Sequence, residues 1–399
     1  MSSGLDPTLN PARDRADELL AGCRELFDVP EDVAYFNVAN LAPHLHTVRR
    51  AGDEALDRRG KPWTIEPADW FSDVERLRLL FGQVDGADAE GVALIPATSY
   101  GFAVAARNLS IGAGERIVVL AEEYPSGIYT WQQLARSTGA ELFTVTREVS
   151  QSWTDAILEC LDERTSIISV PNVHWTDGAL IELDKVAARA HQLRARLVID
   201  ASQSAGAMPL DVAALRPDFV ITVGYKWLLG PFGLGYLYAA AQHRQGQAIE
   251  QNWILRADSE DFARLVDYRD ELQPGARRYD VGQRTNFELT PMAIAALEQI
   301  LDWSVERIAG TLQGLTAQVA ARARELDLTP LPDDQRGPHM LGISLPEAAR
   351  SKTLGALADN GCYAAIRGGS LRIAPHLHVT DRDIESLISG LKVATSTAT

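Results

Sequence analysis

The 399-residue chain is short of the features that announce most function classes. It has three cysteines, Cys23, Cys160 and Cys362, odd in number, far apart and at no zinc-ligand spacing. This argues against a disulfide framework or a structural zinc site. No apolar run approaches the length of a membrane span, and no apolar leader opens the sequence. A soluble cytoplasmic protein is the expectation. No G-x-G-x-x-G follows a strand-like run and no Walker A sequence occurs, so the familiar dinucleotide and nucleotide loops are missing. Basic charge is scarce too. The formal net charge is −16, which makes nucleic acid or an anionic membrane an unsuitable partner. Lysine is rarest of the charged residues, at Lys61, Lys185, Lys226, Lys352 and Lys392 alone.

What is present is a core-forming α/β pattern, with 46% hydrophobic residues. Val92–Ile95, Ile117–Leu120, Leu142–Val145, Ile167–Val170, Leu197–Ile199 and Phe219–Ile221 are brief, continuously apolar runs, the mark of strands buried on both faces. Amphipathic segments separate most of them, one placing Leu183, Val186, Ala187, Ala190 and Leu193 on a single face. Alternation of this kind predicts a mostly parallel sheet covered by helices. A long helix is expected from about residue 290 to 325. A small α+β domain with strands at 340–345, 362–366 and 370–373 should follow it. The predicted division is an N-terminal helical segment (residues 1–30, including a helix over 13–27) packing with the small domain, a large domain (31–285) and a small C-terminal domain (286–399).

Parallel α/β sheets bind ligands at the carboxyl ends of their strands, so the polar residues there are the candidates. Thr98 and Ser99 open a helix after the first run, a suitable anion site. Tyr124 follows the second run and can stack on a planar ring; Asn172 follows the fourth and can donate to a ligand oxygen. Asp200 ends an apolar strand, where an unpaired carboxylate is costly and calls for a cationic or hydrogen-bonding partner. Gln203 lies one turn on. Lys226 follows one helix and one strand later, so Asp200 and Lys226 are expected on neighbouring strand ends. A lysine there is poorly placed for solubility and well placed to form a Schiff base.

Asp200-Ala201-Ser202-Gln203-Ser204-Ala205-Gly206 followed by Gly224-Tyr225-Lys226-Trp227-Leu228-Leu229-Gly230-Pro231 resembles the class V aminotransferase family of fold-type I pyridoxal-phosphate (PLP) enzymes, over roughly residues 30–395. The resemblance implies a fold-type I PLP-transferase architecture, PLP as cofactor, and a homodimer with shared active sites. It implies roles residue by residue. Lys226 is the Schiff-base lysine, Asp200 the partner of the pyridinium nitrogen, and Gln203 and Asn172 contact the ring hydroxyl. Tyr124 stacks on the ring, and Thr98, Ser99 and Tyr225 hold the phosphate. Val223 departs from the Ser or Thr common there, so that contact is lost or replaced by Thr222 or Tyr225. Gln283 or Arg284 reaches the partner subunit's phosphate, Arg372 binds the substrate carboxylate, and Asn40 lines the substrate pocket.

Cys362 falls in a strand pattern ten positions before Arg372, which disfavours the mobile nucleophilic cysteine of a desulfurase. The resemblance is to the epimerase-like and C–S lyase branch. The leading expectation is an enzyme acting at Cα of an amino acid, eliminating the thiol of a cysteine conjugate in specialised metabolism. Transamination, epimerisation and decarboxylating oxidative deamination are alternatives, as is a PLP-fold protein that only binds.

Overall fold

The computed structural model describes residues 19–148 and 151–396. In chain order the strands are β1 (Ala34–Tyr35), β2 (Val92–Ile95), β3 (Arg116–Leu120), β4 (Glu141–Val145), β5 (Thr165–Pro171), β6 (Arg196–Asp200), β7 (Phe219–Val223) and β8 (Gly235–Ala239). They continue with β9 (Thr329–Pro330), β10 (Leu341–Ser344), β11 (Cys362–Tyr363), β12 (Ala365–Arg367) and β13 (Ser370–Ile373). The large sheet runs β2-β8-β7-β6-β5-β3-β4, parallel except for β8, which is antiparallel to both neighbours. The apolar runs are its strands. β2, β3 and β7 are buried throughout, whereas β4, at the sheet edge, is only partly buried. β6 pairs with β7, so Asp200 and the residues after Val223 leave the sheet side by side.

The small domain holds a four-stranded antiparallel sheet, β12-β13-β10-β9. β1 pairs in parallel with β11, and Ala34 and Phe36 join the small-domain core. The start of the predicted large domain therefore belongs, in its packing, to the small one. Of the predicted N-terminal helix, residues up to 18 lie outside the described residues, and Arg24–Leu26 form a single 3-10 turn.

The long helix is two, Leu289–Trp303 and Val305–Arg324. Ser304 breaks it, at φ 61°, and its hydroxyl accepts from the Arg307 N–H as the cap of the second helix. The break re-aims the chain. The first helix packs Ala293, Ala296, Leu297 and Ile300 into the large-domain core, while Val319, Ala320 and Ala323 near the end of the second enter the small-domain core. The first helix, assigned to the small domain by the predicted boundary at 286, thus packs into the large-domain core.

One buried group works against the core. Asp85 closes the helix Ser72–Asp85, is 1% exposed, and has an oxygen without a partner. Burial pushes its carboxyl up to about 7. A folded value above the unfolded one means stability is lost as pH rises from the ordinary carboxyl range through about 7 and is level above that. Asp85→Asn is expected to raise the melting temperature by about 2–4 °C at pH 8, with a clearly smaller rise at pH 5. Equal shifts at the two pH values would show that ionisation of Asp85 is not the cause.

Candidate active site

The carboxyl ends of β2, β3, β5, β6 and β7 surround one small cavity, lined among others by Thr98, Tyr124, Asp200, Gln203, Tyr225 and Lys226. Lys226 reaches it because the chain turns tightly after β7. Gly224 donates to Leu234 O at 2.9 Å and accepts from the Gly230 N–H at 2.8 Å. A Cβ on Gly224 would sit 2.9 Å from Leu234 O, so glycine is required for the approach. The Lys226 amine lies 5.7 Å from the Tyr124 ring centre and 5.9 Å from that of Tyr225. Burial lowers its pKa to about 8, against the pull of Asp200 and helped by repulsion from Arg372 and Arg367.

Asp200 is the last residue of β6. One oxygen accepts from the Ser202 N–H at 2.8 Å, and among the described residues it has no ion-pair partner. Burial pushes its carboxyl up, opposed by those Ser202 contacts and by Lys226. A cation is what this position lacks.

Tyr124 precedes the helix Pro125–Thr138 and keeps a 40% exposed ring set edge-on to Trp175. Thr98 starts the helix Thr98–Asn108, whose beginning is capped by no side chain, so its first N–H groups can receive an anion. Ser99 is exposed beside it. Of the two replacements considered for the contact missing at Val223, Tyr225 lines the cavity, whereas Thr222 turns its hydroxyl to Val223 O.

Gln203 lines the cavity with its amide already engaged. Its oxygen accepts from Trp227 Nε1 at 3.0 Å and its nitrogen donates to Ala39 O at 3.1 Å, leaving one N–H for a ligand. Asn172 is not brought into the cavity. Alternation after β5 gives the cavity Pro171 and Val173 and sends Asn172 to a separate groove with Leu180 and Met208.

Arg372, in β13, is 1% exposed. It donates to Trp175 O at 2.6 Å and to Asn37 Oδ1 at 3.3 Å, and its Nε has no partner. Burial and repulsion from Arg367 depress it to about 10. A buried guanidinium without a carboxylate is the counterpart of an anionic ligand. The N-terminal segment does reach the site, but through Asn37; Asn40, the residue expected there, is exposed.

The 282–286 loop corrects another expectation. Arg284 does not project from it. It is buried and donates to Asp280 at 2.5 Å, sharing that carboxylate with Arg78. Gln283 is exposed and remains the residue able to reach outward. Sequence reasoning also missed Glu123. It lines the cavity, one oxygen accepting from the Tyr124 N–H at 2.6 Å and the other buried without a partner. Burial and the nearby Asp200 push it up to about 8, so it is neutral at pH 7 and adds no negative charge beside Asp200. The signal available was its place shortly after an apolar strand, beyond Ala121 and Glu122.

A buried amine of lowered pKa, a carboxyl wanting a cation, an aromatic wall and an uncapped helix start fit pyridoxal 5'-phosphate, and this set on this sheet defines a PLP-dependent enzyme of fold type I. Residues 69–388 match the family description "Aminotransferase class-V", and the chain belongs to that family. Among its relatives, a kynureninase of Deinococcus radiodurans is 30% identical over 74% of this chain and 73% of its own. A probable cysteine desulfurase of Streptomyces coelicolor is 27% identical over 69% and 68%. The fold is shared with the cystine C–S lyase C-DES, solved with its product cysteine persulfide, at TM-score 0.82 and 16% identity, covering 91% of this chain and 98% of that one. A cysteine desulfurase from Thermococcus onnurineus NA1 superposes at TM-score 0.80 with 18% identity over the full length of both chains. Among the described residues no helix is long and apolar enough to cross a membrane.

Proposed function

We propose that the enzyme removes the Cα proton of an amino acid bearing a sulfur leaving group and eliminates a thiol, giving the thiol, pyruvate and ammonia from an S-substituted cysteine and water. The observation that carries this reading is the pairing of a buried, carboxylate-free Arg372 with the poised amine of Lys226 in one site. PLP, when bound, supplies an electron sink that weakens the bonds at Cα. Arg372 takes the substrate carboxylate in a two-point bond and fixes which Cα bond faces the amine. Lys226, neutral near pH 8 once free, accepts the Cα proton and passes it on. Asp200 holds the ring nitrogen, Tyr124 covers the ring, and Thr98, Ser99 and Tyr225 hold the phosphate. Asn172 is left without a proposed contact.

The cysteines support elimination over a relay through a protein thiol. Cys362 is a buried strand residue whose thiol burial raises to about 12; Cys160 is raised to about 11 and Cys23 is also raised. None is set up as a thiolate nucleophile. Incubation with S-alkyl cysteines should release thiol, pyruvate and ammonia in equal amounts. Cys362→Ser should do so at the wild-type rate within about twofold, because the residue stands outside the chemistry. No product from any cysteine conjugate would remove the elimination reading, and a dead Cys362→Ser variant with an intact fold would restore the persulfide relay.

We place the enzyme in the cytoplasm as a homodimer in which Gln283 of each loop meets the other subunit's site. The exposure of Gln283 supports this, and Gln283→Ala should weaken cofactor retention on dialysis without changing dimer mass.

A further inference from the structure

The hairpin that carries Arg372 carries a second arginine on the same side. In the antiparallel pair of β12 and β13, Ala365 lies opposite Arg372 and Arg367 opposite Ser370. Opposite residues share a face, and so do residues two apart on one strand. Arg367 and Arg372 therefore project from one face as diagonal neighbours, roughly 7–8 Å apart at their Cα positions. That face is turned towards the site, because Arg372 bonds to the carbonyl of Trp175, which lines the cavity. The turn between the strands is Gly368-Gly369, with Gly368 at φ +55°, and Arg367, half-buried, is the last residue before it.

Among the described residues nothing neutralises Arg367. Its guanidinium has one hydrogen bond, to the carbonyl of the adjacent Ile366 at 2.9 Å, and forms no ion pair among the described residues. Glu122 approaches the backbone of Gly368 without pairing with Arg367. The positive charge is felt in the site, depressing both Arg372 and Lys226. Two arginines on one strand face with no carboxylate between them repel each other, a cost that an anionic ligand spanning both would offset.

We propose that Arg367 is a specificity residue that binds a second acidic group, so that the preferred substrate is an amino acid with an anionic side chain, such as a cysteine conjugate ending in a carboxylate. This rests on Arg372 being the α-carboxylate site. It assigns Arg367 to the far end of the substrate and not to the cofactor.

Binding of unreactive acids tests it without turnover. Calorimetry on the holoenzyme should show glutarate binding at least about tenfold tighter than butyrate, which lacks the second carboxylate. Arg367→Gln should abolish that preference and leave butyrate affinity and PLP retention unchanged, and Arg367→Lys should recover part of it. With S-carboxymethylcysteine and S-methylcysteine as substrates, the same variants should raise KM for the first and spare the second. Equal binding of the two acids by the wild type, or a preference that survives in Arg367→Gln, overturns the proposal. Loss of PLP from Arg367→Gln overturns it in favour of a phosphate contact. Failure of the underlying reading looks different, since Arg372→Gln would then leave butyrate binding intact.

Discussion

Lys226→Ala is expected to abolish turnover, with a loss on the order of 10,000-fold in kcat, while the variant still binds PLP. The size follows from the absence of a substitute. Lys61, Lys185, Lys352 and Lys392 are all exposed and away from the cavity, so no second amine stands ready. The amine of Lys226 also has the value the task asks for, lowered by burial to about 8, where it is substantially neutral in mildly alkaline solution. Absorbance separates the two roles. The wild type should show the band of a lysine-linked cofactor. The variant should show that of free pyridoxal phosphate, shifting only on addition of an amine. Retention of the linked band, or of turnover within tenfold, would mean that Lys226 is not the Schiff-base residue.

Asp200→Asn ranks second, with a fall of roughly 100- to 1,000-fold. The change keeps shape and removes charge. In the protein alone, burial makes the Asp200 carboxylate costly, and only Ser202 and the nearby Lys226 offset it. A protonated ring nitrogen would be the missing cation, and pairing with it would recover the cost. An asparagine cannot hold that proton, so the cofactor should remain bound while its electron-withdrawing power drops. Rate and cofactor content are to be measured together. Near-wild-type rates in fully loaded Asp200→Asn would show that the ring works unprotonated. Loss of cofactor instead of rate would assign Asp200 to binding alone.

How far the site could be read from the chain depends on what set each position. Asp200 and Lys226 were legible because burial leaves a strand end few alternatives, and β6 and β7 do pair as the one-helix spacing implies. Arg372 was singled out by its motif, and the structure adds that no carboxylate pairs with it among the described residues. Asn37 and Asn40 were not separable, since both are polar residues next to a strand of two residues, too short to fix a phase. Asn172 fell on the wrong side for the related reason that a single step of alternation moves a side chain from one face to the other. Arg284 looked like a loop arginine, and its partner Asp280 is anchored by Arg78, 202 positions away, which no local pattern reports. The break at Ser304 has an apolar helical pattern on both sides, and one left-handed residue suffices to make it.

Arg372 is stitched to Trp175 and Asn37, at sequence distances of 197 and 335 positions. The cavity that receives the cofactor draws its lining from residues between Thr98 and Lys226. On the ribosome, that lining has all been made well before Arg372 leaves the tunnel. Domains generally fold as units during synthesis, so the order of translation would let the chain gain the seat proposed for its cofactor before the one proposed for its substrate.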